Sequence, residues 1–360
     1  MRFNLIFFIL LSFFATSTAH AYLCDLEFAP IHRLDGTRAL QELSKTKVGT
    51  FNVLNLEFSP GKYVYNPQTK TREFLEGTIK KDPNKVKEIA KIIKEEDLDI
   101  LILQEVEGIE PLIKFNAVHL DGKYQVIMQR GNDTRGIEIG FLIKKDLPFT
   151  VRLHSHSSRK VTAESGKEEK IFSRDVPSLH IRFNDTSATD PPDLIISGTH
   201  YKSQRDRKND PGSRKLRARQ VEETKKILQE YKEVYPNTPV LLGGDFNADI
   251  HNSPEFSALF EDGFLKDSFD IIDNPLSKEA RITQTFHPWE GPTKQSQLDA
   301  ILVDENATSL INDAKVYRYK DVNGKERPIP QSYIQREQNP SDHFMVFVEA
   351  DLYKLRQSSR

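Results

Sequence analysis

An α+β chain, with β-sheets packed on one another and helices outside, is the fold class that the sequence predicts. Three observations lead there. Apolar runs of strand length recur from Val48 to Asp351 and far outnumber the segments of helical period. No Pro/Ser-rich linker and no internal repeat divides the chain, so one domain over residues 22–354 with a frayed tail at 355–360 is expected. At 360 residues, such a domain can bury a large core.

The elements follow in order. Val48 to Leu54 (VGTFNVL) reads as a buried strand, and a Gly/Pro/Asn-bearing loop, SPGKYVYNPQTK, comes after it. A helix starts at Asp82-Pro83, because proline suits a first helical turn, and Val86, Ile89, Ala90 and Ile93 share one face. Asp99 to Val106 is a continuous apolar strand with an abrupt acid near its end. Further strands are expected at Tyr124 to Gln129, Ile137 to Ile143, Ser178 to Phe183 and Leu194 to Thr199. Residues 154–175 read as a charged excursion, in which His154 and His156 form a surface pair rather than zinc ligands. A long basic helix covers Ser213 to Tyr231, and a shorter one lies near Pro254 to Phe260. The remaining strands are Pro239 to Leu242, Leu298 to Val303, Ala314 to Tyr319 and Phe344 to Asp351.

Composition narrows the class. Hydrophobic residues are 37% and charged ones 29%, which excludes collagen-like, low-complexity and disordered chains. The N-terminus carries Arg2, an apolar run from Leu5 to Leu11 and the small-residue site Ala19-His20-Ala21. This pattern predicts a signal peptide over residues 1–21 and a secreted or periplasmic mature protein. No later apolar run approaches the ~20 residues of a membrane span, so no stable membrane insertion is expected. Cys24 is the sole cysteine, so no internal disulfide can staple the fold.

Four places break the blandness of strand ends: Asn52 inside an apolar strand, Glu105 at the end of LILQEV, Asp245 and Asn247 in LLGGDFNAD, and Ser341-Asp342-His343 before the last strand. Singly, each has an ordinary explanation as a cap or Asx-rich turn. Together they matter, because strand ends along one sheet edge converge in space. Hard oxygen ligands with room for water suit Mg²⁺ or Mn²⁺ rather than zinc, with Ca²⁺ as a structural ion. His200 and His343 supply groups that titrate near neutrality, and such histidines are usually oriented by carboxylates. Asp299 and Glu138, acids within apolar strands, are the candidate partners. No G-x-S-x-G elbow is present, which argues against a serine hydrolase.

These residues lie in FNVLN, LQEVEG, IEIGFLIKK, SGTHYKS, GGDFNAD, QLDAILV and PSDHFMV. The ordered set resembles the endonuclease/exonuclease/phosphatase superfamily, typified by pancreatic deoxyribonuclease and the abasic-site endonucleases, over about residues 47–351. The resemblance implies a four-layer sandwich of two packed mixed sheets flanked by helices. It implies that Asn52, Glu105 and Asp342 lie around a metal, and that Asp245 and Asn247 orient water and phosphate. It further implies that His343, held by Asp299, activates water, and that His200, held by Glu138, faces the phosphate oxygens. Arg174 in FSRDVPSL looks like the family's phosphate-contacting arginine.

The substrate is read from charge. The formal net charge is only -2, but residues 199–220 hold eight Lys/Arg and two acids. A basic strip opening beside His200 can track a polyanion, with Lys202 as its first contact, although charge runs on helices are usually solvated faces. Tyr201 and Trp289 are candidates for stacking on bases. The sequence thus predicts a monomeric, Mg²⁺-dependent nuclease acting on DNA. The competing readings are a lipid phosphodiesterase or phosphatase, of the sphingomyelinase or phosphoinositide kind, and a binding protein on a catalytically dead scaffold.

Overall fold

The computed structural model describes residues 30–162, 166–288 and 291–358. The expected signal peptide, Cys24 and Trp289 lie outside these residues.

Two mixed sheets carry an α+β fold. The seven-stranded sheet runs, edge to edge, Ile31–Arg33, Phe149–His154, Ser178–Phe183, Leu194–His200, Val240–Asp245, Asp299–Val303 and Lys266–Asp267. The six-stranded sheet runs Ile311–Val316, Val346–Ala350, Thr46–Leu56, Ile100–Glu107, Ile137–Lys144 and Tyr124–Met128. Each holds one parallel pair near its centre: Leu194–His200 beside Val240–Asp245, and Thr46–Leu56 beside Ile100–Glu107.

Side-chain alternation sorts these strands into layers. In Ile100–Glu107, Ile100 and Ile102 enter the core between the sheets. Leu101 and Leu103 instead meet Val86, Ile89, Ile93, Leu112 and Phe115 of the outer helices Pro83–Glu95 and Ile109–His119. On the other sheet Leu241 joins the shared core, while Val240 and Leu242 meet Val221, Ile227 and Leu228 of helix Arg214–Val234. Three apolar cores therefore separate four layers. Burial on both faces is also why these strands read as continuous apolar runs. Close approach of the sheets needs glycine at their crossing: a Cβ at Gly243 would lie 2.7 Å from Ile102 Cδ1, and one at Gly198 3.0 Å from carbons of Ile102 and Ile139.

Helix Pro83–Glu95 begins as the sequence indicates, with Asp82 accepting the Asn84 amide and Pro83 in the first turn. Other segments depart from the sequence reading. The expected loop after the first strand is an antiparallel ribbon, Lys62–Asn66 with Thr71–Leu75. The charged excursion contains a small hairpin, Lys160–Thr162 with Glu168–Lys170. Helix Ile109–His119 and strand Phe149–His154 add to the expected set; Pro111 and the lack of a side-chain cap hide the helix.

His154 and His156 are buried, not a surface pair. His156 hydrogen-bonds the Val176 carbonyl and the Tyr231 hydroxyl, and the His154 ring lies 4.3 Å from that of His180. Neither His180 nitrogen has a hydrogen-bond partner. Burial pushes His154 down to about 4 and His156 down to about 3, and it holds His180 well below its ordinary value. Between about pH 4 and 6.5 the unfolded chain thus binds more protons than the folded one, so stability falls on acidification. His180→Phe, a ring without a proton site, is expected to flatten the drop in Tm between about pH 7 and about pH 5. An unchanged slope in thermal unfolding would refute this account.

Candidate active site

The polar residues gather where the carboxyl ends of the two parallel pairs meet, one pair from each sheet. In the seven-stranded sheet His200, Asp245 and Asp299 are register neighbours on adjacent strands, so their side chains stand side by side. In the six-stranded sheet the ladder between Thr46–Leu56 and Ile100–Glu107 breaks after Asn52 pairs with Gln104. Leu54, Asn55 and Glu105 there adopt left-handed backbone, with φ of 51°, 58° and 63°. This irregularity shifts the register, pairing resuming at Leu56 with Val106, and turns the Glu105 carboxylate, which accepts the Asn55 amide at 3.1 Å, into the site.

Asp245 is the hub. Its Oδ2 accepts from Asn52 Nδ2 at 3.0 Å and from Asn247 Nδ2 at 3.1 Å, and its Oδ1 accepts the Asn247 amide at 2.7 Å. His200 Nε2 lies 3.5 Å from Asp245 Oδ2 and 4.0 Å from Glu105 Oε1. His343 Nε2 lies 3.9 Å from the same Asp245 oxygen, while its Nδ1 meets Asp299 Oδ2 at 2.8 Å. Ser341 ties the last loop to this hub by donating to the Asn52 carbonyl at 2.7 Å. The structure thus brings Asn52, Glu105, His200, Asp245, Asn247, Asp299 and His343 together. Asp342 adjoins them, with Oδ2 3.8 Å from Arg336 and a buried Oδ1 that has no hydrogen-bond partner.

The site is crowded with negative charge. Burial raises Glu105, and Asp245 and Asp342 add to the shift; burial likewise raises Asp245 and Asp299. Burial opposes protonation of His343, but Asp299, Asp245 and Asp342 hold it well above its ordinary value. His200 is held well below its own by burial and by Arg174. Oxygen donors with unmet charge and an orphaned Asp342 Oδ1 fit a divalent cation. Ligand atoms of Asp245, Asp299 and His343 also fall within 4.8 Å of one another, a spacing that could itself hold an ion. A second such group, His251, Asp267 and Asp270, has its charge met from within: Asp267 Oδ2 accepts from His251 at 2.9 Å and Gln297 at 2.7 Å, and Arg281 bonds Asp270.

Several sequence expectations change here. Glu138 does not hold His200: His200 Nδ1 has no hydrogen-bond partner, and Glu138 lies against Gly131, where burial pushes its carboxyl up to about 7. His200 is instead fixed through its backbone, whose carbonyl accepts from Arg174 Nε at 3.1 Å. Arg174 also bonds the Tyr201 carbonyl and faces Asp133 at 3.6 Å, so much of its guanidinium serves the loop. Tyr201 is buried against Phe246 and Phe256, not free to stack on a ligand. Within the basic helix Arg217 is buried on Glu255, with Nε at 3.0 Å, and Gln220 accepts the Lys202 amide at 2.9 Å. These two residues position the Lys202 loop.

Sequence reasoning missed Lys81, whose ammonium caps the Leu54 carbonyl at 2.8 Å and is pushed down to about 8 by burial and by Lys85. It missed Thr283 too, whose hydroxyl accepts the Asp299 amide at 2.9 Å. No local pattern marks either residue. A cleft of about 660 Å³ opens from Glu105, His200 and Asn247 along Arg135, Lys170, Arg174, Lys202, Arg205 and Arg207.

A model of the Endonuclease/Exonuclease/phosphatase family matches residues 49–343. Among solved structures, a mannosyl-6-phosphatase from Bacteroides thetaiotaomicron is similar with a TM-score of 0.52 at 17% identity, over 85% of this chain and 99% of that one. The human Nocturnin catalytic domain gives 0.52 at 15% identity, over 90% and 98%. TDP2 from Caenorhabditis elegans gives 0.51 at 14% identity, over 85% and 75%. At these identities the likeness is one of fold. No curated protein matches the chain.

Proposed function

The chain belongs to the endonuclease/exonuclease/phosphatase family, and from that premise we propose that it is an exported, Mg²⁺-dependent nuclease that cuts DNA internally by in-line attack of water. The folded unit is residues 22–354, acting as a monomer after cleavage near Ala21. The observation that carries the nucleic-acid reading is the cleft beside His200, with six Lys/Arg along its wall. A polyanion longer than one phosphate can use that wall, whereas a small monoester would leave most of it unmatched.

Each side chain has a task. Asn52, Glu105 and Asp342 would hold the cation, which would supply positive charge to the phosphate oxygens. His343, fixed through Nδ1 by Asp299, turns Nε2 toward the attacking water; the carboxylates that favour its protonated ring also border the cation's place, and the cation's charge would offset them and leave Nε2 free to take the water's proton. Asp245, pinned by Asn52 and Asn247, orients that water between the two histidines. His200, which burial and Arg174 hold well below its ordinary value, donates a hydrogen bond to the phosphate, and as the P–O bond breaks the leaving oxygen takes its proton from solvent. Lys202 meets the flanking backbone from the cleft wall, and Arg174 braces the loop that carries it.

Mature protein offered plasmid DNA, RNA, sphingomyelin and phosphoinositide, with Mg²⁺ or chelator, is expected to cut the DNA only with the metal. Release from a lipid without nucleic-acid cutting would replace this reading with the lipid phosphodiesterase. The cleft makes a further prediction. Arg205→Ala combined with Arg207→Ala is expected to weaken DNA binding and to lower the slope of log K against log salt by about one for each phosphate no longer neutralised. A slope equal to that of the wild type would remove these arginines from the substrate path.

A further inference from the structure

The ribbon between Lys62 and Leu75 does not pack on the core. Cross-strand partners share a face, and the register pairs Tyr63 with Phe74 and Tyr65 with Arg72. One face of the ribbon therefore presents three aromatic rings and a guanidinium. Tyr63, Tyr65 and Phe74 are 71%, 61% and 55% exposed, unusual for rings of that size, and Tyr63 and Phe74 contact each other at 5.1 Å. Folding gains little from such a surface.

Its root lies at the active site. From the register shift after Asn52 the chain passes Asn55, whose amide is held by Glu105, leaves the six-stranded sheet at Leu56, and pairs Phe58–Ser59 with Thr78–Ile79 as a short stalk. Phe58 N donates to Glu107 Oε2 at 2.8 Å, and Lys81 returns the chain to the Leu54 carbonyl at 2.8 Å. Tyr63 lies eight positions after Asn55, a reach of at most about 26 Å.

We propose that this face is a stacking platform for unpaired bases of a nucleic-acid strand whose backbone passes the catalytic centre, an inference that rests on the nuclease reading above. Successive flat rings with a cation beside them suit bases of any sequence. Residues 62–75 carry Lys62, Lys70 and Arg72 against one acid, Glu73, which is engaged by Asn66 Nδ2 at 2.7 Å and Thr69 Oγ1 at 3.1 Å. The ribbon's charge thus complements a phosphate backbone. A lipid surface fits less well, because the tip of the ribbon, Asn66 to Thr71, is polar apart from Pro67, and a membrane would meet the tip before the rings.

The test uses mature protein in chelator, with fluorescence anisotropy of a labelled single-stranded oligonucleotide, the matching duplex, and anionic vesicles in co-sedimentation. Tyr63→Ala, Tyr65→Ala and Phe74→Ala combined are expected to weaken single-strand binding by about tenfold or more and duplex binding far less. Tyr65→Phe, which keeps the ring, is expected to bind as the wild type does. Turnover of bis(p-nitrophenyl) phosphate, too small to reach the ribbon, reports a folded catalytic centre in the same preparations. Equal single-strand binding by wild type and triple variant, in a wild type that does cut DNA, overturns the platform and spares the nuclease reading. A wild type that neither binds nor cuts any nucleic acid overturns the nuclease reading, and the platform with it. Vesicle binding or self-association that the triple variant loses, with oligonucleotide binding intact, assigns the face to a membrane or to a second copy and overturns the proposal.

Discussion

Replacing His343 with alanine is expected to lower kcat on DNA by about 10²–10⁴-fold, with KM nearly unchanged. The imidazole is oriented by a buried carboxylate, Asp299 at 2.8 Å, while its other nitrogen faces the hub at Asp245. Removing it takes away a proton acceptor but none of the cleft wall, so substrate binding should persist. Asp299→Asn should lose nearly as much, because the amide no longer favours the protonated ring. The double variant should lose little beyond the worse single one, since the two act as a unit. Steady-state kinetics on a plasmid decide the matter: full activity in His343→Ala would remove this histidine from the proton-transfer role.

Glu105→Gln is expected to act in two opposite directions, which separates a metal-holding role from a merely structural one. Burial and the neighbouring Asp245 and Asp342 disfavour the Glu105 charge. In chelator the variant should therefore unfold at a higher temperature than the wild type. With Mg²⁺ the order should reverse, because ligand binding stabilises only the protein that binds it. Metal affinity by calorimetry should fall by about 10- to 100-fold, as when a metal site loses a supporting group. A carboxylate that only packed would give neither the reversal nor the affinity loss.

Much of the fold was legible because burial leaves a direct trace. Runs such as ILILQEV and VLLGG are apolar without interruption because both faces are covered, and the helix over Pro83–Glu95 announces itself by Asp82-Pro83 and its apolar face. The chemistry was legible for the inverse reason: Asn52, Glu105, Asp245 and His343 are polar groups at places where apolar ones cost least. The ribbon was not legible, since its alternation serves none of the three cores and its turn residues, Asn66-Pro67, look like those of any loop. The buried imidazoles of His154, His156 and His180 were not either, because histidine spacing does not reveal which face a strand turns inward.

By itself, the sequence marked polar residues that would stand at strand ends, and it indicated sheets packed on one another with helices outside. These follow from composition and periodicity within short windows. Partnership was decided only in three dimensions. Asn52 meets Asp245 across 193 positions, and His343 meets Asp299 across 44, through register and sheet packing that no local pattern encodes. For the same reason Glu138 sits against Gly131 instead of holding His200, Arg217 turns inward to Glu255, and the aromatic face near the catalytic centre is left bare. Each outcome depends on which strand lies next to which, and that is settled by the whole core at once.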